Sequence, residues 1–155
     1  GLKETYTPFM LLNGRTVLPS PDKNKVTSVI SGELSKKAVM YPEFTYQIFD
    51  DTLDITYDIK TAAISGKAGS NNYINIAIVE KGLSTKVSKG DNAGVTLKND
   101  NVTRLFFTSD LKSSKGLLRV PLKKLKPGVN KTIILFIQEK TTKKVLGATA
   151  GSFEK

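Results

Sequence analysis

Asp50, Asp51, Asp54 and Asp58 form a run of carboxylates. Paired carboxylates can share a proton or hold a cation, and either task needs their oxygens close together. Leu53, Ile55, Tyr57 and Ile59 alternate with Asp54, Thr56 and Asp58, which is the period of a β-strand. On a strand, Asp54 and Asp58 share one face but stand roughly 13 Å apart. That is too far for a shared metal or an acid–base pair. Asp50-Asp51 reads as a hairpin turn, and Asp54 and Asp58 as a solvated strand face.

The second candidate is the segment KGDNAGVTLKNDNVTR, residues 89–104. Gly90 and Gly94 bracket an Asp-Asn pair. Such a run makes a tight turn with side chains bonded back to the chain. It can also present backbone N–H groups to an anion. Lys89, Asp91, Asn92, Asn101 and Arg104 are the residues that would bind a ligand or build a corner. The corner reading expects Arg104 to pair with Asp91, with Asn92 and Asn101 capping local backbone groups. Asn101-Val102-Thr103 and Asn130-Lys131-Thr132 fit the N-glycosylation pattern, a three-residue match that arises often by chance.

Composition removes whole classes of chemistry. The chain has no Cys and no His. Disulfide exchange, thiolate catalysis, cysteine metal sites and an internal Ser-His-Asp arrangement are all excluded. No catalytic residue, metal site or cofactor is expected, and the chain reads as a non-enzyme. The formal charge is +10, and only Arg15, Arg104 and Arg119 among the 24 basic residues are arginines. Scattered lysines lack the planar fork that reads phosphates and bases, so no nucleic-acid partner is expected. The lysines near the carboxyl end read as turns and strand edges guarded against aggregation. No apolar run has the ~18 residues of a membrane span. Gly1 in place of Met reads as the scar of expression or of processing.

The elements around these residues fall into two parts. Residues 1–40 read as a β-hairpin and a helix. Phe9 to Leu12 is a short strand, Asn13-Gly14 a turn that wants φ > 0, and Arg15 to Leu18 the return. Ser20-Pro21 reads as N-cap and first helical position, with Val26, Val29, Ile30 and Leu34 on one face. Residues 41–155 read as short strands at 8–12-residue spacing, an antiparallel β-sandwich of immunoglobulin-like type. Leu83 to Val87 is expected to pair with the strand Tyr73 to Val79. The apolar run Ile133 to Ile137 suits a central strand.

Several stretches carry a family resemblance. KGDNAGVTLKNDNVTR resembles the signature of a bacterial family of secreted proteins of unknown function, thioredoxin-like in front with a β-rich tail. That signature runs Arg/Lys-Gly-Glu-Asn-Ala-Gly-Arg-Thr-Leu, then Asn-Val-Val-Arg. Lys89, Gly90, Asn92, Ala93, Gly94, Thr96, Leu97, Asn101, Val102 and Arg104 match, while Asp91, Val95 and Thr103 depart. IQEKTTKKVLGATA, residues 137–150, is similar to the family's closing strands. YTPFMLLNGR, residues 6–15, resembles the segment where a thioredoxin fold places its cis-proline, here Pro8 after Thr7. The resemblance implies an extracytoplasmic location, periplasmic or secreted. It also implies that residues 1–40 are the back half of a thioredoxin-like fold.

The Cys-bearing front of that fold has no counterpart in these residues. Three readings follow. The chain is a non-catalytic module that supports a thioredoxin-like domain, or the back half of a thiol–disulfide oxidoreductase, or an anion-binding module built on the 89–104 turn. A lone hairpin and helix would leave an apolar helix face uncovered, so residues 1–40 are expected to pack on the sandwich or on a second copy in a homodimer.

Overall fold

The computed structural model describes residues 9–18, 22–61, 71–123, 125 and 130–153. Its elements in chain order are β1 (Leu11–Leu12), β2 (Thr16–Val17), α1 (Lys23–Leu34), β3 (Met40–Phe49), β4 (Thr52–Thr61), β5 (Asn72–Glu80), β6 (Leu83–Lys86), β7 (Thr96–Asn99), β8 (Val102–Asp110), β9 (Lys115–Pro121), β10 (Lys131–Glu139) and β11 (Val145–Phe153). Ser20, Pro21, Thr7 and Pro8 lie outside the described residues.

Period-two patterning builds the body of the molecule. A three-stranded sheet in the order β3-β4-β9 and a four-stranded sheet in the order β11-β10-β5-β8 share one core. Leu53, Ile55, Tyr57 and Ile59 point into it from β4. Ile74, Ile76 and Ile78 meet them from β5, and Ile133, Leu135 and Ile137 from β10. Each such side chain contributes roughly 1.5–3 kcal/mol by leaving water. The sheets approach closely where Tyr46 of β3 lies 6.0 Å from Phe153 of β11, ring centre to ring centre. Gly147 and Gly151 make room there, since a Cβ on either would press on Met40 or Phe44 of β3. The fold is mainly β, with antiparallel sheets and no closed barrel.

The Asp50-Asp51 turn stands where the pattern places it, between β3 and β4, with Asp50 at φ 50°. The Asn13-Gly14 turn also forms. Asn13 and Gly14 have φ of 50° and 77°, and the Arg15 N–H donates to the Leu12 carbonyl at 3.2 Å. Both central residues at positive φ match the twist of a two-residue hairpin.

This small hairpin seats on the turn between β10 and β11. The Val145 N–H donates to the Asn13 carbonyl at 3.0 Å, and the Val39 N–H to the Leu146 carbonyl at 3.0 Å. A Cβ on Gly14 would collide with the Lys143 carbonyl oxygen, so glycine is required twice there, for φ and for space.

Two expectations change. Leu83–Lys86 pairs with Thr96–Asn99 and not with Tyr73 to Val79. The reason is occupancy: β5 has β8 on one edge and β10 on the other, so no edge remains for β6. The helix also starts later than Ser20-Pro21 suggests. Asp22 caps it, its carboxylate accepting from the N–H groups of Asn24 and Lys25 at 3.1 Å. The apolar face of α1 is only partly covered: Val26, Val29 and Ile30 are half-buried, and Leu34 is 80% exposed.

Candidate functional site

The 89–104 segment is the outer half of a two-stranded arm. β5 and β8 run on past the sheet, bend, and continue as β6 and β7. Positive φ marks the bend at Gly82 (70°) and Asn101 (56°). The Gly82 N–H is held by the Asp100 carboxylate at 2.7 Å. Beyond the bend, Leu83 pairs with Asn99 and Lys86 with Thr96. Val87 and Val95 then close the ladder, the Val87 N–H donating to the Val95 carbonyl at 2.9 Å.

The tip is a glycine turn. Gly90 and Gly94 hold φ of 83° and 87°. The Ala93 N–H donates to Gly90, the Gly94 N–H to Val87 and the Val95 N–H to Asn92, at 2.9, 2.9 and 3.1 Å. Three of the N–H groups that an anion would use are therefore taken by carbonyls of the turn itself. Lys89, Asp91 and Asn92 are exposed at this tip, and their side chains have no hydrogen bond or ion pair among the described residues.

Arg104 and Asn101 belong to the base of the arm. Arg104 does not pair with Asp91. Its Nε donates to Glu80 Oε2 at 2.6 Å, across the β5–β8 ladder. The register forces this, because four cross-strand pairs separate base from tip, roughly 13 Å of strand. Asn101 contributes backbone conformation, and Asp100 beside it provides the cap. The structure thus places Lys89, Asp91 and Asn92 together and keeps them away from Asn101 and Arg104.

The aspartates of β4 make cross-strand ion pairs. Asp58 meets Lys115 at 2.8 Å and Asp54 meets Arg119 at 3.7 Å, both across the β4–β9 ladder. Lys60 meets Glu43 at 2.7 Å on the other side of β4, and that contact raises the Lys60 pKa. Exposed pairs of this kind contribute ~0–1 kcal/mol each. They knit a solvated face. Among the described residues no group of acidic side chains is arranged to hold a metal ion, and no helix is long and apolar enough to cross a membrane.

A feature that the sequence reading did not single out lies on the outer face of the four-stranded sheet. Phe106 of β8 is 58% exposed and its ring lies 6.0 Å from that of Phe136 on β10. β5 runs between their strands, with Ala77 opposite Phe106 and Asn75 opposite Phe136. Asn75, 2% exposed, sits on the same face. Its Oδ1 accepts from Thr108 Oγ1 at 2.8 Å, and its buried Nδ2 has no partner. The signal was present in Leu105-Phe106-Phe107: when neighbours alternate, one of two adjacent phenylalanines must point away from the core.

The family described as "Protein of unknown function (DUF1223)" matches residues 1–138. The chain belongs to the DUF1223 family. No curated protein matches it. Its fold is similar to that of a crystallised protein from Agrobacterium tumefaciens, at TM-score 0.58 and 14% identity, over 98% of this chain and 66% of that one. The chain therefore spans less than two thirds of that protein's length. Weaker likenesses join it to a β-glucuronidase from Ruminococcus gnavus (TM-score 0.33, 10% identity, 73% of this chain and 14% of that one) and to a β-glucosidase from Kluyveromyces marxianus (TM-score 0.35, 14% identity, 76% and 14%). Scores that low carry no argument about fold or activity. The family match supports the resemblance as far as a family of unknown function; it does not speak to a thioredoxin-like front.

Proposed function

We propose that this DUF1223 chain is a non-catalytic, extracytoplasmic β-sandwich module that seats a neighbouring thioredoxin-like domain. The observation that carries this is the outer face of the four-stranded sheet. Phe106 and Phe136 form an apolar platform there, with the unpartnered Asn75 amide beside it. The occupant is argued from the resemblance and from the Agrobacterium relative, a third of whose chain lies beyond this fold. The strand orders β3-β4-β9 and β11-β10-β5-β8 support an immunoglobulin-like sandwich.

The test starts from the gene. A Cys-bearing thioredoxin-like segment should be encoded in the same reading frame or beside it. Produced separately, that segment should bind this chain in a titration calorimeter, and Phe106→Glu should abolish the binding while leaving the chain folded. A gene without such a segment, or binding that Phe106→Glu leaves intact, overturns the reading.

A second reading concerns residues 1–40. A helix with no buried residue and with Leu34 80% exposed supports a second copy covering Val26, Val29, Ile30 and Leu34.

A further inference from the structure

Between the front hairpin, the end of α1 and the start of β11 lies a cavity of about 230 Å³. Arg15, Lys36, Lys37 and Lys144 line it, with Glu33 the one carboxylate among the lining residues. We propose that this cavity binds a phosphate-type oxyanion, either free or as the head of a small phosphate monoester. The proposal is independent of the platform on the outer face.

Charge is the first support. Glu33 is already engaged. It accepts from Lys36 Nζ and, at 2.9 Å, from Asn13 Nδ2. Those two hydrogen bonds hold its pKa below the ordinary value, so it stays ionised and keeps Lys36 in place. Arg15, Lys37 and Lys144 have no ion pair among the described residues. Arg15 also acts on Glu33 and helps lower its pKa, which leaves Lys37 and Lys144 as the lining cations without a carboxylate partner among the described residues. An oxyanion with two negative charges is attracted by a lining of four basic residues and one acidic one and accepts several charge-assisted hydrogen bonds.

Rigidity is the second. Arg15 stands on a hairpin that the Asn13–Val145 bond and the Gly14–Lys143 contact fix to the β10–β11 turn. Lys37 lies just before Val39, whose N–H is bonded to Leu146 of β11. Lys144 lies between these two anchors. The cations thus come from three backbone segments that are tied to one another, so that binding has only their side chains left to order. The carbonyls of the last helical turn do not oppose the anion freely: those of Ser31, Gly32 and Glu33 accept from Ser35 and Lys36.

Size is the third. A recess of about 230 Å³ has room for a phosphate with a short organic tail.

Titration calorimetry of inorganic phosphate and of glycerol 3-phosphate into the chain, with chloride holding ionic strength constant, tests the idea. Saturable one-to-one binding is expected. Lys37→Gln with Lys144→Gln should weaken it at least about tenfold. Lys81→Gln with Lys98→Gln removes the same charge elsewhere and should leave it unchanged. Glu33→Gln should strengthen it. Tighter binding of glycerol 3-phosphate would assign the monoester, and equal binding the free anion. No saturable binding, or an equal loss in both double variants, overturns the site. Melting curves of all variants show that each remains folded.

Discussion

At the scale of single residues, Tyr57 joins the core to the surface. Its ring is buried under Gly116 of β9, where a Cβ would press on the hydroxyl. Burial raises its pKa above the ordinary 10.0, because the phenolate loses water that the core cannot replace. The folded form then keeps its proton more firmly than the unfolded chain does. The stabilisation is complete below about pH 10 and is lost as pH rises through the folded value. Tyr57→Phe should therefore melt with a smaller drop than the parent between about pH 9 and about pH 11. An equal drop in the two proteins would place the alkaline weakness elsewhere. Tyr57 was legible in the sequence as an inward position of β4. Its hydroxyl's surroundings were not, since they depend on a glycine from β9 that only the register places there.

At the scale of elements, the arm is separable. Every residue of β7 is exposed, and in β6 only Leu83 is half-buried. Replacing Leu83 to Asn99 with an Asn-Gly turn should keep the β-sheet circular dichroism and shift the unfolding free energy by under about 1 kcal/mol. A loss of several kcal/mol would show that the arm is part of the folding unit.

Period-two patterning made β4 readable in the sequence, because one face of it must be apolar, and β10 was legible as a continuous apolar run. It could not choose strand partners. Leu83 to Val87 looked like the mate of β5 by proximity alone, whereas the more apolar β8 and β10 take both edges of β5. The glycine turn at 90–94 was legible as a turn. Whether Arg104 reached it was not, because that depends on a ladder of cross-strand pairs and on the bend at Gly82. The cations of the front cavity were invisible for the same reason: Arg15 and Lys144 lie at opposite ends of the sequence.

At the scale of the whole molecule, α1 leaves part of its apolar face uncovered. The helix face of Val26, Val29 and Ile30, with Leu34 outermost, predicts self-association. Light scattering at micromolar concentration should give twice the 16.9 kDa of one chain, and Leu34→Glu should return it to one. A single-chain mass for the parent would mean that the front segment is complete as it sits on the β10–β11 turn. The +10 charge makes salt a necessary control, since like-charged copies repel most at low ionic strength.

The seating of the hairpin on that turn also has a consequence for how the protein is made. Asn13 and Gly14 leave the ribosome long before Lys143 and Val145 do. Every residue between them must be synthesised before the two can meet. The hairpin is too small to be stable alone, so it waits. Its docking records that β11 has joined the sheet, as a latch closes only on a finished box. A chain stopped before Val145 leaves the hairpin free and open to proteases, whatever the rest of the fold has managed to form.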